Sequence, residues 1–143
     1  MYNMSNYIMD EIDEIKENYE SGKFDHIKND LVDFITKYKN DIKAIKSDTI
    51  VVTKFGNITD EVAIKLFILK HRSINPMREI KEQLAEMERE KWIKGVQTGK
   101  DPNSQQVAEE WAKLYSPGWR DHRVLSIIYV FERDKEKYIK LLN

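Results

Sequence analysis

Apolar residues recur three and four positions apart along the first part of the chain, which is the spacing of amphipathic helices. The first stripe consists of Ile8, Ile12, Ile15 and Tyr19. The second consists of Phe24, Ile27, Leu31, Phe34, Tyr38, Ile42 and Ile45. Ser21-Gly22 falls between the two stripes and is typical of a short turn. Residues 5–46 are therefore predicted to form an antiparallel helical hairpin.

The pattern changes in residues 47–58, where the helical spacing is lost. β-Branched residues crowd together in the sequence TIVVTKF, and Gly56-Asn57 closes the run. Such residues favour extended structure. We therefore expect a short extended segment near residues 49–55, either as a connector or as an edge that pairs with a second copy of the chain.

Helical signals return in residues 59–143, the predicted helical core. Thr59 is a good N-cap, and Asp60 and Glu61 follow it where the helix dipole favours acids. The next sequence, VAIKLFIL, is apolar nearly all round, which is typical of a helix buried on several sides. Asn75-Pro76 then supplies a cap and a proline at the first position of another helix.

Inward-facing stripes are predicted for the remaining helices as well. After Asn75-Pro76 the stripe is Met77, Ile80, Leu84 and Met87, with the acids Glu79, Glu82 and Glu86 on the solvent side. A further helix starts at Asp101-Pro102 or Ser104 and turns Val107, Trp111 and Leu114 inward. Beyond a break at Ser116-Pro117-Gly118, the last region buries Val124, Ile128, Phe131, Tyr138 and Leu142. Residues 1–143 are thus predicted to form a single all-α domain, a bundle of five or six helices.

Composition narrows the classes of function. The 24 basic and 25 acidic residues nearly cancel, whereas a domain that binds nucleic acid through its phosphates usually has a basic excess. There is no cysteine, which excludes disulfides and thiolate metal sites. The first residues lack the pattern of a signal peptide, and no apolar run approaches the roughly 20 residues that cross a bilayer. A cytoplasmic protein without a membrane partner is expected.

No strong catalytic motif is present. The glycines form neither a GxxxxGK(S/T) nor a GxGxxG phosphate-binding loop. The GxSxG sequence of a nucleophile-elbow hydrolase is also missing. The three histidines are far apart, and the Glu-x-x-His pairs of a di-iron bundle are missing as well. We therefore predict no catalytic, cofactor-binding or metal-binding residue and no cofactor. Acids on separate helices leave open the alternative of a metal-dependent or acid–base enzyme.

The candidate ligand or partner surface consists of aromatic and basic residues. They are Arg72, Trp92, Trp119, Arg120, His122 and Arg123. Arginine pairs with carboxylates or phosphates and aromatic rings stack on bases, so the segment 119–123 is a candidate site for an anion or a nucleic acid. The spacing of four between Trp119 and Arg123 predicts a cation–π contact. The structural alternative places Trp92 and Trp119 in the core and the charged residues in solvent.

Residues 88–123 resemble a helical segment of short bacterial proteins of unassigned function. The resemblance rests on the spacing of Glu88 and Trp92, on Gly99-Lys100-Asp101, on Val107-Ala108-Glu109-Glu110-Trp111, and on Tyr115 and Trp119-Arg120. It implies a bacterial or phage setting and a helical hairpin, but no activity.

The leading hypothesis from the sequence is a protein-interaction or regulatory module. Its partner is another protein or a second copy of itself, which would make a homodimer. Nucleic-acid or anion binding through residues 119–123 is the second hypothesis, and an enzyme is the third.

Overall fold

The computed structural model describes residues 4–99 and 104–143, and these residues confirm the all-α class. Nine α-helices occupy them, more than the five or six predicted, with one π-helical turn. In chain order they are α1 (Met4–Glu20), α2 (Asp25–Lys37), α3 (Lys39–Ile45), α4 (Thr49–Phe55), α5 (Asp60–His71), α6 (Pro76–Thr98), α7 (Ser104–Glu110), the π turn (Trp111–Tyr115), α8 (Ser116–Arg133) and α9 (Lys135–Lys140). None of the helices in the described residues has the length and apolar character that a bilayer-spanning segment needs.

The extended segment predicted near residues 49–55 is wrong, because the structure forms α4 there. Asp48 caps this helix by accepting hydrogen bonds from the backbone N–H groups of Ile50 (3.0 Å) and Val51 (3.1 Å). Gly56 ends it in a backbone conformation with φ of 72°. Signals at the two ends of the segment therefore outweigh the β propensity of the residues between them.

Extra helix boundaries explain much of the difference in helix number. The predicted second helix is divided at Tyr38, whose φ of −103° and ψ of 18° depart from helical values. The last helical region is divided in the same way at Asp134. Apolar periodicity continues across both points, so it gives no sign of either boundary.

The predicted break at Ser116-Pro117-Gly118 is also wrong, because helical structure continues through these residues. The backbone N–H of Ser116 donates to the carbonyl of Trp111, five residues earlier, which widens the helix by one π turn. Pro117 follows in α8 and has no N–H to donate to the preceding turn, and a widened turn at this point tolerates that loss. The alternative helix start at Asp101-Pro102 and the side chains of Val107 and Leu114 lie outside the described part of the chain.

The described chain divides into two compact units. The core unit is the chain up to Ile74 together with Val124–Asn143, and the middle unit is Asn75–Arg123. Fully buried apolar side chains of the core unit come from α2, α3, α5, α8 and the C-terminal residues. They include Ile27, Leu31, Ile35, Ile42, Ile64, Ile68, Ile127, Val130, Phe131 and Leu142. The stripes predicted for the second helix and for the last region are thus largely confirmed.

A charged network on the core unit joins α5 to α8 and α9. Lys65 pairs with Glu61 at 3.2 Å and with Glu132, and Lys135 lies 3.4 Å from Glu61. The hydrogen bond from Lys65 lowers the pKa of Glu61, and the one to Glu132 raises the pKa of Lys65. Glu61 and Lys65 are therefore held in their ionised forms by their neighbours.

Candidate functional site

The basic and aromatic segment at residues 119–123 lies in the first turns of α8. The guanidinium of Arg123 stands 4.9 Å from the ring centroid of Trp119, which confirms the predicted cation–π contact. Arg123 also forms an ion pair with Glu82 of α6, and its side chain is only 12% exposed. This arginine is thus already paired and stacked within the middle unit.

A second set of polar contacts joins the same elements through Gln83 of α6. The Oε1 atom of Gln83 accepts hydrogen bonds from the Trp111 indole N–H and the Ser116 hydroxyl, each at 3.0 Å. Arg120 donates from Nε and Nη2 to the Ser116 oxygen at 3.2 and 3.1 Å. These bonds fix which side of α6 faces the π turn and α8.

The other predicted site residues are placed separately. Arg72 belongs to the core unit, where it forms the C-cap of α5. His122 is half-buried in α8, and Trp119 is half-buried beneath Arg123. Trp92 is 69% exposed, so the interpretation that placed it in the core is wrong. The structure therefore brings Trp119, Arg120 and Arg123 into the polar contacts of the middle unit, and the prediction that these six residues bind a ligand or partner stays a prediction.

The orientation of α6 is opposite to the predicted one. Met77 is 70% exposed, Ile80 54% and Leu84 52%, although this stripe was expected to face inward. Glu79 is buried instead, and Glu82, Gln83 and Glu86 are half-buried. The reason lies in the facing side chains: an indole N–H, a hydroxyl and a guanidinium need acceptors when they are packed together. The polar side of α6 supplies those acceptors.

The apolar side of α6 forms a continuous surface that the sequence analysis missed as a candidate site. We call Met77, Ile80, Leu84 and Met87 the α6 stripe; Met87 is half-buried. On an ideal helix these positions lie within about 80° of one another and about 130° from the acceptor side. Trp92 lies about 100° from the centre of the stripe. One sequence signal could have revealed that this stripe faces outward. Polar residues that can accept hydrogen bonds also recur three and four positions apart, at Glu79, Glu82, Gln83 and Glu86, and so form a second side of the helix that could pack.

No group of three or more His, Asp or Glu side chains in the described residues is arranged to hold a metal ion.

Comparison with known proteins gives no relatives. No protein family, no curated protein and no solved structure matches the chain. The resemblance of residues 88–123 to short bacterial proteins, with the setting it implies, therefore stays a prediction.

Proposed function

We propose that the protein is an interaction module and that its partner is a second copy of itself, bound through the α6 stripe. The outward orientation of this stripe is the observation that carries the proposal. Gln83 and Glu82 hold the opposite side of α6 against the π turn and α8. The stripe cannot turn towards the π turn and the start of α8 without breaking those polar contacts, so we expect a partner to cover it.

Burial of the stripe supplies the driving force. Fully burying a large apolar side chain contributes about 1.5–3 kcal/mol, and Met77, Ile80 and Leu84 each retain at least half of their exposure. The stripe covers only about three helical turns, so it offers much less surface than an obligate dimer interface. We therefore expect a concentration-dependent dimer rather than a permanent one.

The spacing of the stripe suits pairing with itself. Intervals of three, four and three match the a and d positions of a two-helix seam. When two α6 helices run antiparallel with Ile80 opposite Leu84 of the second copy, Met77 lies opposite Met87 and the two stripes overlap along their whole length. Two-fold symmetry repeats these contacts and places Lys81 of one copy alongside Lys81 of the other. Lys81 is exposed beside the stripe.

The first test is the mass of the protein in solution. Sedimentation of the full chain from about 1 µM to about 300 µM should show a monomer–dimer equilibrium. Leu84→Glu should weaken the affinity of the dimer by about tenfold or more, because the interface would bury unpaired carboxylates. Leu125→Glu is the matched control, since Leu125 is a comparably exposed leucine of α8. A monomer at every concentration, or equal effects of both variants, would contradict the proposal.

A charge removal tests the antiparallel register. Lys81→Gln should strengthen the dimer because it removes two ammonium groups that lie side by side. Arg89→Gln is the matched control, since Arg89 is an exposed cation on the side of α6 away from the stripe. If Lys81→Gln has no more effect than Arg89→Gln, this register is wrong.

Nucleic-acid or anion binding through residues 119–123 receives less support from the geometry. The guanidinium of Arg123 is already paired with Glu82 and stacked on Trp119. The cytoplasmic location expected from the sequence stays a prediction.

A further inference from the structure

A cleft of about 560 Å³ opens on the core unit, and all of its described lining residues belong to that unit. Its walls come from the end of α2 with α3, from α4 and from the last turns of α5. The volume falls within the range of sites that bind small molecules. The chemistry of the lining residues indicates which kind of molecule fits.

Three aromatic rings form one side of the cleft. The ring centroid of Phe67 lies 4.3 Å from that of His71 and 5.3 Å from that of Tyr38, and Tyr38 lies 5.2 Å from His71. Phe34 packs against all three from the core. Because Phe34 and Phe67 are buried, the cluster is a fixed surface. The faces of phenyl and phenol rings carry negative electrostatic potential and attract cations.

The charged groups of the cleft favour a cation as well. Asp41 on α3 and Asp48 at the start of α4 contribute carboxylates, whereas Lys70 contributes the one ammonium group among the described lining residues. The C-terminal end of α5 adds the negative end of a helix dipole beside His71. Asp48 already accepts two backbone N–H groups through Oδ1, which fixes its position.

The outer edge of the cleft is apolar. Val51 and Phe55 line it from α4, and Phe55 is 66% exposed. No residue of α4 is buried, although four of its seven residues are apolar. A ligand with an apolar body would cover Phe55 and gain the free energy of removing that surface from water.

We propose that this cleft binds a small organic cation, an ammonium or quaternary ammonium group joined to an apolar body. The charged group lies between the carboxylates of Asp41 and Asp48 and the rings of Tyr38 and Phe67, and the apolar body lies against Phe55. This site is independent of self-association through the α6 stripe.

Matched small molecules test the ligand class. Benzyltrimethylammonium, benzyl alcohol and benzoate share a phenyl ring and differ in charge. In an NMR titration of the full protein, only the cation should shift the backbone signals of α3, α4 and the end of α5. Equal binding of benzyl alcohol, preferential binding of benzoate, or no shift from any of the three would each overturn the proposal.

Variants of the lining residues test the placement. The pair Asp41→Asn and Asp48→Asn should weaken cation binding about fivefold, and asparagine at position 48 preserves the cap of α4. Tyr38→Leu should weaken it by a similar factor, roughly, through loss of a ring face. Lys70→Met should strengthen cation binding, because it removes a like charge from the cleft. Asp33→Asn, an exposed acid of α2 outside the cleft, is the matched control. Equal binding by the double variant and this control would show that the cation lies elsewhere.

Discussion

Tyr138 has only 1% of its surface exposed, and its ring centroid lies 5.9 Å from that of Phe131. Burial, together with the negative charge of Asp134 and the nearby Tyr19, raises the pKa of its phenol to about 12. The folded protein therefore holds this proton more tightly than the unfolded chain does. The resulting stability is fully present below the ordinary phenol pKa and is lost as pH rises towards about 12.

We therefore predict a late tyrosine ionisation. Absorbance of tyrosinate during an alkaline titration should show one step near pH 12, and Tyr138→Phe should remove it. The same variant should lose less stability between pH 9 and about pH 12 than the natural chain, as measured by urea unfolding. A titration unchanged by Tyr138→Phe would contradict the assignment.

At the scale of residues, sequence spacing predicts contacts within one helix and not contacts between helices. The stack of Trp119 and Arg123 follows from their spacing of four. The ion pair of Arg123 with Glu82 joins residues of α8 and α6, and the cluster of Tyr38, Phe67 and His71 joins α2, α3 and α5 at their ends. No local pattern brings such residues together, because tertiary packing sets their distances.

At the scale of elements, short polar residues correctly indicated where two of the helices begin. Thr59 accepts the N–H of Val62 at 3.2 Å, and Asn75 accepts that of Arg78 at 3.1 Å, as their positions in the sequence indicate. The same cap at Asp48 was overlooked because the β-branched residues after it favour strands. Pro117 indicated a break that does not form, because the π turn before it lets the helix continue.

The end of α5 offers an element-scale prediction. Arg72 has a φ of 60°, and among the described residues it is the non-glycine residue with a positive φ. A Cβ atom in this left-handed conformation costs about 1 kcal/mol, which glycine avoids. We expect Arg72→Gly to be more stable than Arg72→Ala by about 1 kcal/mol in urea unfolding. Both variants lose the guanidinium, so equal stabilities would mean that the backbone of α5 ends without strain.

At the scale of the whole molecule, burial is distributed unevenly. Every apolar side chain that is buried among the described residues belongs to the core unit. The buried side chains described in the middle unit are Glu79 and Ser116. Amphipathic spacing predicted buried stripes in both units, and it was largely correct for the core unit and wrong for α6. Periodicity identifies the apolar side of a helix but not the direction in which that side points.

Hydrogen exchange should reveal this difference. Backbone amides of α5 should exchange slowest, since they open only with the core, and those of α6 should exchange at least about tenfold faster in dilute protein. If the α6 stripe pairs with a second copy, protection of α6 should increase with protein concentration while that of α5 stays constant. Slow, concentration-independent exchange in α6 would show that the stripe is covered in some other way.

The core unit is made of two separate lengths of chain, and this has a consequence for biosynthesis. Ile64 and Ile68 of α5 are buried in the same core cluster as Ile127 and Phe131 of α8. The ribosome makes the whole middle unit between these two groups. The growing chain must therefore expose the apolar faces of α2 and α5 until residues after Val124 emerge, and its core is completed only after the middle unit has been made. Apolar faces that stay exposed in this way favour aggregation until the core closes.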